Sequence, residues 1–335
     1  MERRRASGPL APGRAEREGS STPTPLAGPS PLAAYHDGLV HSAERFPSLA
    51  VVEAGLAPSL HHASFAQRFP ERYVAFPSPA TEAIKISAER SGGGGPVFVS
   101  APAGFFLAIA YPEVVRWVVR PRRDVKLVGA PTSSGPEPEP AAVTVGDELC
   151  AMRSLPALTV VAPADGPTTR SATVALAERA GPAYVHLPPN GSPVVTDGTF
   201  AVGQAHELRG GTDLAVVALG PMVARALELA GDLDRVGVSV RVLDVASVKP
   251  FDEAAILRAA RDTGALLVLE AAPVSTGIGT FVAAMTAENY PVPVRRVGLA
   301  DRWVARDEAP DPVEFSSERL RDEAWELLRL RGKAT

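Results

Sequence analysis

At 335 residues, 45% hydrophobic and 21% charged, the chain has the size and composition of two globular α/β units, each able to bury a core. A net charge of −4 gives no general basic field for nucleic acid, and no apolar run approaches the ~20 residues of a membrane span. The single cysteine, Cys150, excludes an intrachain disulfide framework and points to a reducing, cytoplasmic setting. Behind the basic start Met1-Glu2-Arg3-Arg4-Arg5 lies no hydrophobic segment, so no signal peptide is read there. Residues 1–30 are rich in Pro, Gly, Ser, Ala and Arg and have little to bury; they are expected to form a disordered tail.

From Pro31 the pattern alternates strand and helix. A helix with Leu32, Tyr35, Leu39 and Ala43 on one face precedes a strand at Leu49–Glu53; a helix at Leu60–Phe69 leads to a strand at Tyr73–Ala75. The next helix carries Glu82 and ends at Gly92-Gly93-Gly94-Gly95, read as a linker because a strand follows it rather than a helix. Strands are expected at Pro96–Ser100, Val125–Val128, Leu158–Ala162 and Ala183–Leu187. Helices are expected at Gly104–Val119, at Gly146–Ser154 and from Asp165 to Ala180. The proline-rich run Ala130–Pro140 is a candidate active-site loop. Such alternation predicts a mostly parallel sheet flanked by helices in a domain spanning 31–190.

Residues 191–211 are expected to connect this domain to a second of the same class, 212–335. There, strands are predicted at Leu214–Leu219, Val238–Leu243, Ala265–Leu269 and Val294–Val297, and helices at Met222–Leu233, Asp252–Thr263, Ile278–Glu288 and Glu318–Leu330. Asp252 is a cap and Gly264 a terminator. This half shows no cluster of titratable residues in the sequence, so a structural or dimer-forming role is its default.

The most informative stretch is Arg72-Tyr73-Val74-Ala75-Phe76-Pro77-Ser78-Pro79-Ala80-Thr81-Glu82. Two prolines hold the chain extended until Pro79, whose φ suits a first helical turn, so Glu82 falls in the first turn of an apolar helix. A carboxylate there can be tuned by burial and by the helix N-terminus, as an acid exchanging a proton with a ring nitrogen requires. Read structurally, Glu82 only interacts with the helix dipole.

Five pieces in order, Arg68-Phe69-Pro70-Glu71-Arg72-Tyr73, Ala151-Met152-Arg153-Ser154-Leu155-Pro156, Val161-Ala162-Pro163-Ala164-Asp165, Val248-Lys249-Pro250-Phe251-Asp252 and Ala287-Glu288-Asn289-Tyr290-Pro291-Val292-Pro293, carry a family resemblance. Over about residues 31–330 the chain resembles the C-terminal half of transketolases, the pyrimidine-binding domain followed by the C-terminal domain of these thiamine diphosphate enzymes. In that family a glutamate hydrogen-bonds the aminopyrimidine ring and promotes the tautomer that activates the cofactor; the resemblance assigns this role to Glu82. An ungapped alignment puts Ala80 there, whereas the Phe76, Ser78-Pro79, Glu82 spacing is similar to the beta chains of 2-oxo acid dehydrogenases and selects Glu82. Phe105 falls where the family sets an aromatic against the pyrimidine; as plain sequence it reads equally as helix core. A second family aromatic is replaced by Pro102.

Other family positions differ. The phosphate-holding arginine is replaced by Leu32, a ketol-contacting histidine by Val143, and an acid by Gly55; His61 and His62 could compensate. No Gly-Asp-Gly followed by an Asn-bearing turn appears in the sequence, so no metal ligand is assigned to this chain and the Mg²⁺ and diphosphate ligands are expected from a partner. The resemblance therefore implies the C-terminal subunit of a two-component enzyme that transfers a two-carbon ketol unit between small-molecule substrates. It implies an α2β2 assembly with an N-terminal-half transketolase subunit, and no nucleic acid or membrane partner. The alternatives are a 2-oxo acid dehydrogenase beta-like component and a non-catalytic structural or regulatory subunit.

Overall fold

The computed structural model describes residues 28–55, 62–130, 147–189, 191–300 and 315–333. The tail expected over residues 1–30 lies mostly outside these, as do His61, Val143 and the loop Ala130–Pro140 beyond Ala130 itself.

Helix α1 (Pro31–Arg45) opens on Ser30, whose Oγ accepts from the Ala33 amide at 3.3 Å, with Pro31 at its first position. Its predicted stripe, Leu32, Tyr35, Leu39 and Ala43, is buried. Around it follow β1 (Ala50–Ala54), α2 (Ala63–Arg68), β2 (Tyr73–Phe76), α3 (Glu82–Arg90), β3 (Val97–Pro102) and α4 (Ala103–Ala108). Then come α5 (Tyr111–Glu113), β4 (Val125–Ala130), α6 (Asp147–Ser154), β5 (Thr159–Val161), α7 (Gly166–Glu178) and β6 (Ala183–His186). Strands β1, β3, β4 and β5 are buried along their whole length, except for the partly exposed Pro102, because helices cover both faces. Asp165 caps α7 by accepting from the Thr168 amide at 3.1 Å.

The second half contributes β7 (His206–Arg209), β8 (Leu214–Ala218), α8 (Met222–Asp234), β9 (Val240–Asp244), β10 (Ser247–Lys249), α9 (Glu253–Thr263), β11 (Leu266–Pro273), α10 (Ile278–Asn289), β12 (Val294–Leu299) and α11 (Ser317–Lys333). One sheet has the order β10-β5-β6-β4-β3-β1-β2 and the other β12-β11-β8-β9-β7. Each is parallel except at one edge, where β10 pairs antiparallel with β5 and β7 antiparallel with β9. The predicted α/β class with two mostly parallel sheets is the class observed.

Three differences from the sequence reading have physical causes. The helix expected over Gly104–Val119 is broken: Pro112 has no amide to donate, the Ala110 amide bonds five residues back to Phe105 O at 2.9 Å, and Val114–Val119 is π-helical. The interval 191–211, expected to be connector, holds β7, a short polar edge strand without an apolar run to announce it. Strand β10 was not anticipated because its pairing partner lies in the other half of the chain.

Candidate active site

In a parallel sheet, ligands bind in the crevice outside the carboxyl ends of the strands. At that edge of the first sheet, β1 ends in Ala54 and Gly55, and Gly55 has φ +65° and donates its amide to Phe76 O at 3.0 Å. A Cβ on Gly55 would lie 2.3 Å from Cδ of Pro79. Pro79 therefore fills the space beside the backbone where the resemblance places an acid, and this close approach fixes the turn leading to α3.

Glu82 is the first residue of α3, three residues later than the Pro79 start anticipated. Ala83 and Ile84 face the core, which leaves Glu82 on the solvent side of the helix with its carboxyl exposed. Lys85, one turn on, lies 5.6 Å over the Trp117 ring. Phe105 is 3% exposed, with its ring centroid 5.5 Å from that of Phe106. Leu32, which the resemblance aligns with the phosphate-holding arginine, is buried in the core.

Sequence reasoning missed two buried polar clusters at this edge. On the α1 face, Glu53 is fully buried and accepts from Tyr73 Oη at 2.8 Å and from the His62 amide at 3.2 Å. Beside it, Tyr35 Oη and Ser100 Oγ are 2.9 Å apart and the rings of His36 and His62 are 4.4 Å apart. Burial pushes His36 down to about 4, so it is neutral at physiological pH. His62 is buried in this cluster.

On the opposite face, Glu148 of α6, 2% exposed, lies 2.6 Å from His186 Nδ1 at the end of β6 and accepts from Tyr184 Oη at 3.4 Å. Burial raises the Glu148 carboxyl, but the charge of His186 and its hydrogen bond outweigh this and hold it below the usual carboxylate value. The sequence signal was a histidine closing an apolar strand just before Pro188-Pro189; its partner, 38 residues away, gave no local sign.

Two acids at the junction of the halves are perturbed. Asp244 is pushed up to about 7 by burial, with the Asp165 charge adding to it. Glu270 is pushed up to about 7 by burial, against the amides of Gly279 and Ile278, which donate to it at 2.9 and 2.6 Å, and against Arg153 and Arg296. Arg153 of the first half stacks 4.6 Å over Phe281 of the second.

Comparison with known proteins fixes the family. Residues 203–313 match the model of the transketolase C-terminal domain. The 6-deoxy-6-sulfo-D-fructose transketolase subunit of Clostridium sp. (strain MSTE9) is 31% identical over 269 residues, 80% of this chain and 84% of that one. The chain belongs to the transketolase family. An apulose-4-phosphate transketolase subunit from Phocaeicola vulgatus is 30% identical over 273 residues, 81% of this chain and 87% of that one. A solved split-gene transketolase, described as an inactive β4 tetramer, superposes with a TM-score of 0.80 at 30% identity, covering 91% of this chain and all of that one. This transketolase chain thus corresponds to the C-terminal subunit of a split transketolase, with two mostly parallel sheets. Among the described residues no helix is long and apolar enough to cross a membrane.

Proposed function

We propose that the chain is the pyrimidine-binding subunit of a thiamine diphosphate-dependent ketol transferase, active only with a partner subunit that holds the Mg²⁺ and the diphosphate. The observation that carries this is the placement of Glu82: an ionisable group opening a helix at the carboxyl edge of a parallel sheet, facing outward and anchored by the Gly55–Pro79 contact. An exposed acid at such an edge suits an acceptor for a protonated ring nitrogen. Its burial must come from the subunit seated over this edge. Bound thiamine diphosphate supplies the electron sink for breaking a carbon–carbon bond beside a carbonyl. Glu82 holds a proton at the pyrimidine edge, and Phe105, buried on α4, supports the wall of the site from within rather than offering an open face.

Partner dependence is supported by the related split-gene chain that is described as an inactive β4 tetramer; an α2β2 complex is the assembly inferred here. The buried Leu32 and the substrates named for the two relatives, a sulfonated fructose and apulose 4-phosphate, support a substrate other than the standard pentose phosphates and a place in specialised metabolism. A single cysteine and the absence of a spanning helix among the described residues support a cytoplasmic setting.

Calorimetry with thiamine diphosphate and Mg²⁺, on this chain alone and on its complex with the partner, tests the reading. Binding is expected only to the complex. Glu82→Gln is expected to lower ketol transfer by about three orders of magnitude while the complex still assembles. A complex that binds no cofactor, or whose turnover ignores Glu82, overturns it; CO2 release from a 2-oxo acid points to the dehydrogenase alternative.

A further inference from the structure

The Glu148–His186 pair has a geometry that packing does not require. Tyr184 and His186 are two apart on β6 and share a face, the one covered by α4 and α6. The Phe106 ring meets Tyr184 edge-on at 5.8 Å and Phe105 lies behind it, so a continuous set of contacts runs from the wall assigned to the cofactor to the His186 ring. A buried carboxylate is costly unless paired, and an apolar pair would join α6 to β6 without that cost. The Glu148 carboxylate can only accept, so His186 Nδ1 donates to it at 2.6 Å, and Nε2 is the ring nitrogen left for a ligand. The His186 side chain keeps 15% of its surface accessible, and among the described residues Nε2 has no hydrogen-bond partner.

The charge of the pair narrows what that nitrogen can take. Carboxylate plus neutral imidazole is net negative, and carboxylate plus imidazolium is net zero, so neither state favours a phosphate or sulfonate group. Both suit an uncharged hydroxyl. We propose that His186 is a substrate-contacting residue whose Nε2 accepts a hydrogen bond from a hydroxyl on the polyhydroxylated carbon chain of the sugar, with Glu148 as the positioning residue that fixes the tautomer. This rests on the ketol-transfer reading above and adds to it a recognition element for the uncharged part of the substrate.

The test uses the complex of this chain with its partner subunit, with D-xylulose as the probe ketose. His186→Ala is expected to lower kcat/KM for ketol transfer about 30-fold, mainly through KM, while thiamine diphosphate affinity stays within about twofold. His186→Gln, which keeps an acceptor near the Nε2 position, is expected to recover part of the loss. Glu148→Gln is expected to cost roughly tenfold. It is also expected to change the ring ¹⁵N signals of His186 and to raise KM for D-xylulose with little change in kcat, and a merely structural role would not produce that split. His186→Ala within twofold of wild type in kcat/KM overturns the proposal while leaving the ketol-transfer reading intact. If the wild-type complex binds no cofactor, the ketol-transfer reading fails by itself. The pair is then judged by NMR alone: a His186 Nε2 signal that D-xylulose does not move, or a ring protonated at Nε2, overturns it.

Discussion

Lys126 is a cation with no exposed side-chain surface, held in β4 by Asp124 Oδ1 and the carbonyls of Arg179 and Gly181, each at 2.6 Å. Burial lowers its pKa and Asp124 opposes that, so the charge survives through complete satisfaction of its three donors. Lys126→Met takes the donor away from two carbonyls and a carboxylate that water can partly reach and is expected to cost about 1–2 kcal/mol, a fall in unfolding midpoint of roughly 2–5 °C by calorimetry. Asp244 and Asp165 share one neighbourhood but not one fate. Asp165 takes bonds from the amides of Val195 and Thr196 and from Thr196 Oγ1, at 2.7–2.8 Å, whereas Oδ1 of Asp244 is buried without a partner among the described residues. An unfolded aspartate titrates near pH 4, and Asp244 in the folded chain at about 7. Between those values the folded state holds a proton that the unfolded state has released, so stability falls as pH rises through the window and the penalty is complete above it. Asp244→Asn should therefore raise the midpoint at pH 8 by about 3 °C and by much less at pH 4.5.

At the scale of elements, the sequence carried what local physics determines. Period-2 and period-3.6 patterns placed the strands and most helices, and Asp165, Asp252 and Gly264 marked helix ends where the backbone needed them. Failures came where the deciding contact is remote or where a breaker sits inside an apolar run, as with β7, β10 and Pro112. The candidate site divides the same way. Glu82 and Phe105 are proposed on the resemblance, while Glu53, Glu148 and His186 sit in segments that read as ordinary strand or helix until their partners are known. Gly55 joins both levels, because its missing side chain is the space Pro79 uses. Gly55→Ala is expected to push the Ser78–Pro79 turn away and to weaken thiamine diphosphate binding by the complex about tenfold, at roughly 1 kcal/mol of stability. Unchanged cofactor affinity by calorimetry would show that this turn does not set the position of Glu82.

For the whole molecule, the two halves are not separable bodies. Strand β10 belongs to the second half by sequence and to the first sheet by hydrogen bonding. From the last residue of this strand, Lys249 Nζ donates to the carbonyls of Arg153 and Leu155 at 2.8 and 2.5 Å, closing the end of α6. Ser247 Oγ accepts from the Gly203 amide at 2.8 Å, tying the connector to the same place. Heat unfolding is expected to show one cooperative transition, and Lys249→Met to lower its midpoint by about 3–6 °C without splitting it. Two resolved transitions in a scanning calorimeter would contradict this.

Strand β10 also sets an order of events during synthesis. A ribosome delivers β5 long before residues 247–249, so the nascent first sheet waits with an unpaired edge while the connector and the first strands of the second sheet are made. A fragment ending at residue 211 never receives the strand that covers this edge, so it should collect in aggregates where the full chain does not. A boundary that looks convenient in the sequence is therefore a poor place to cut the gene.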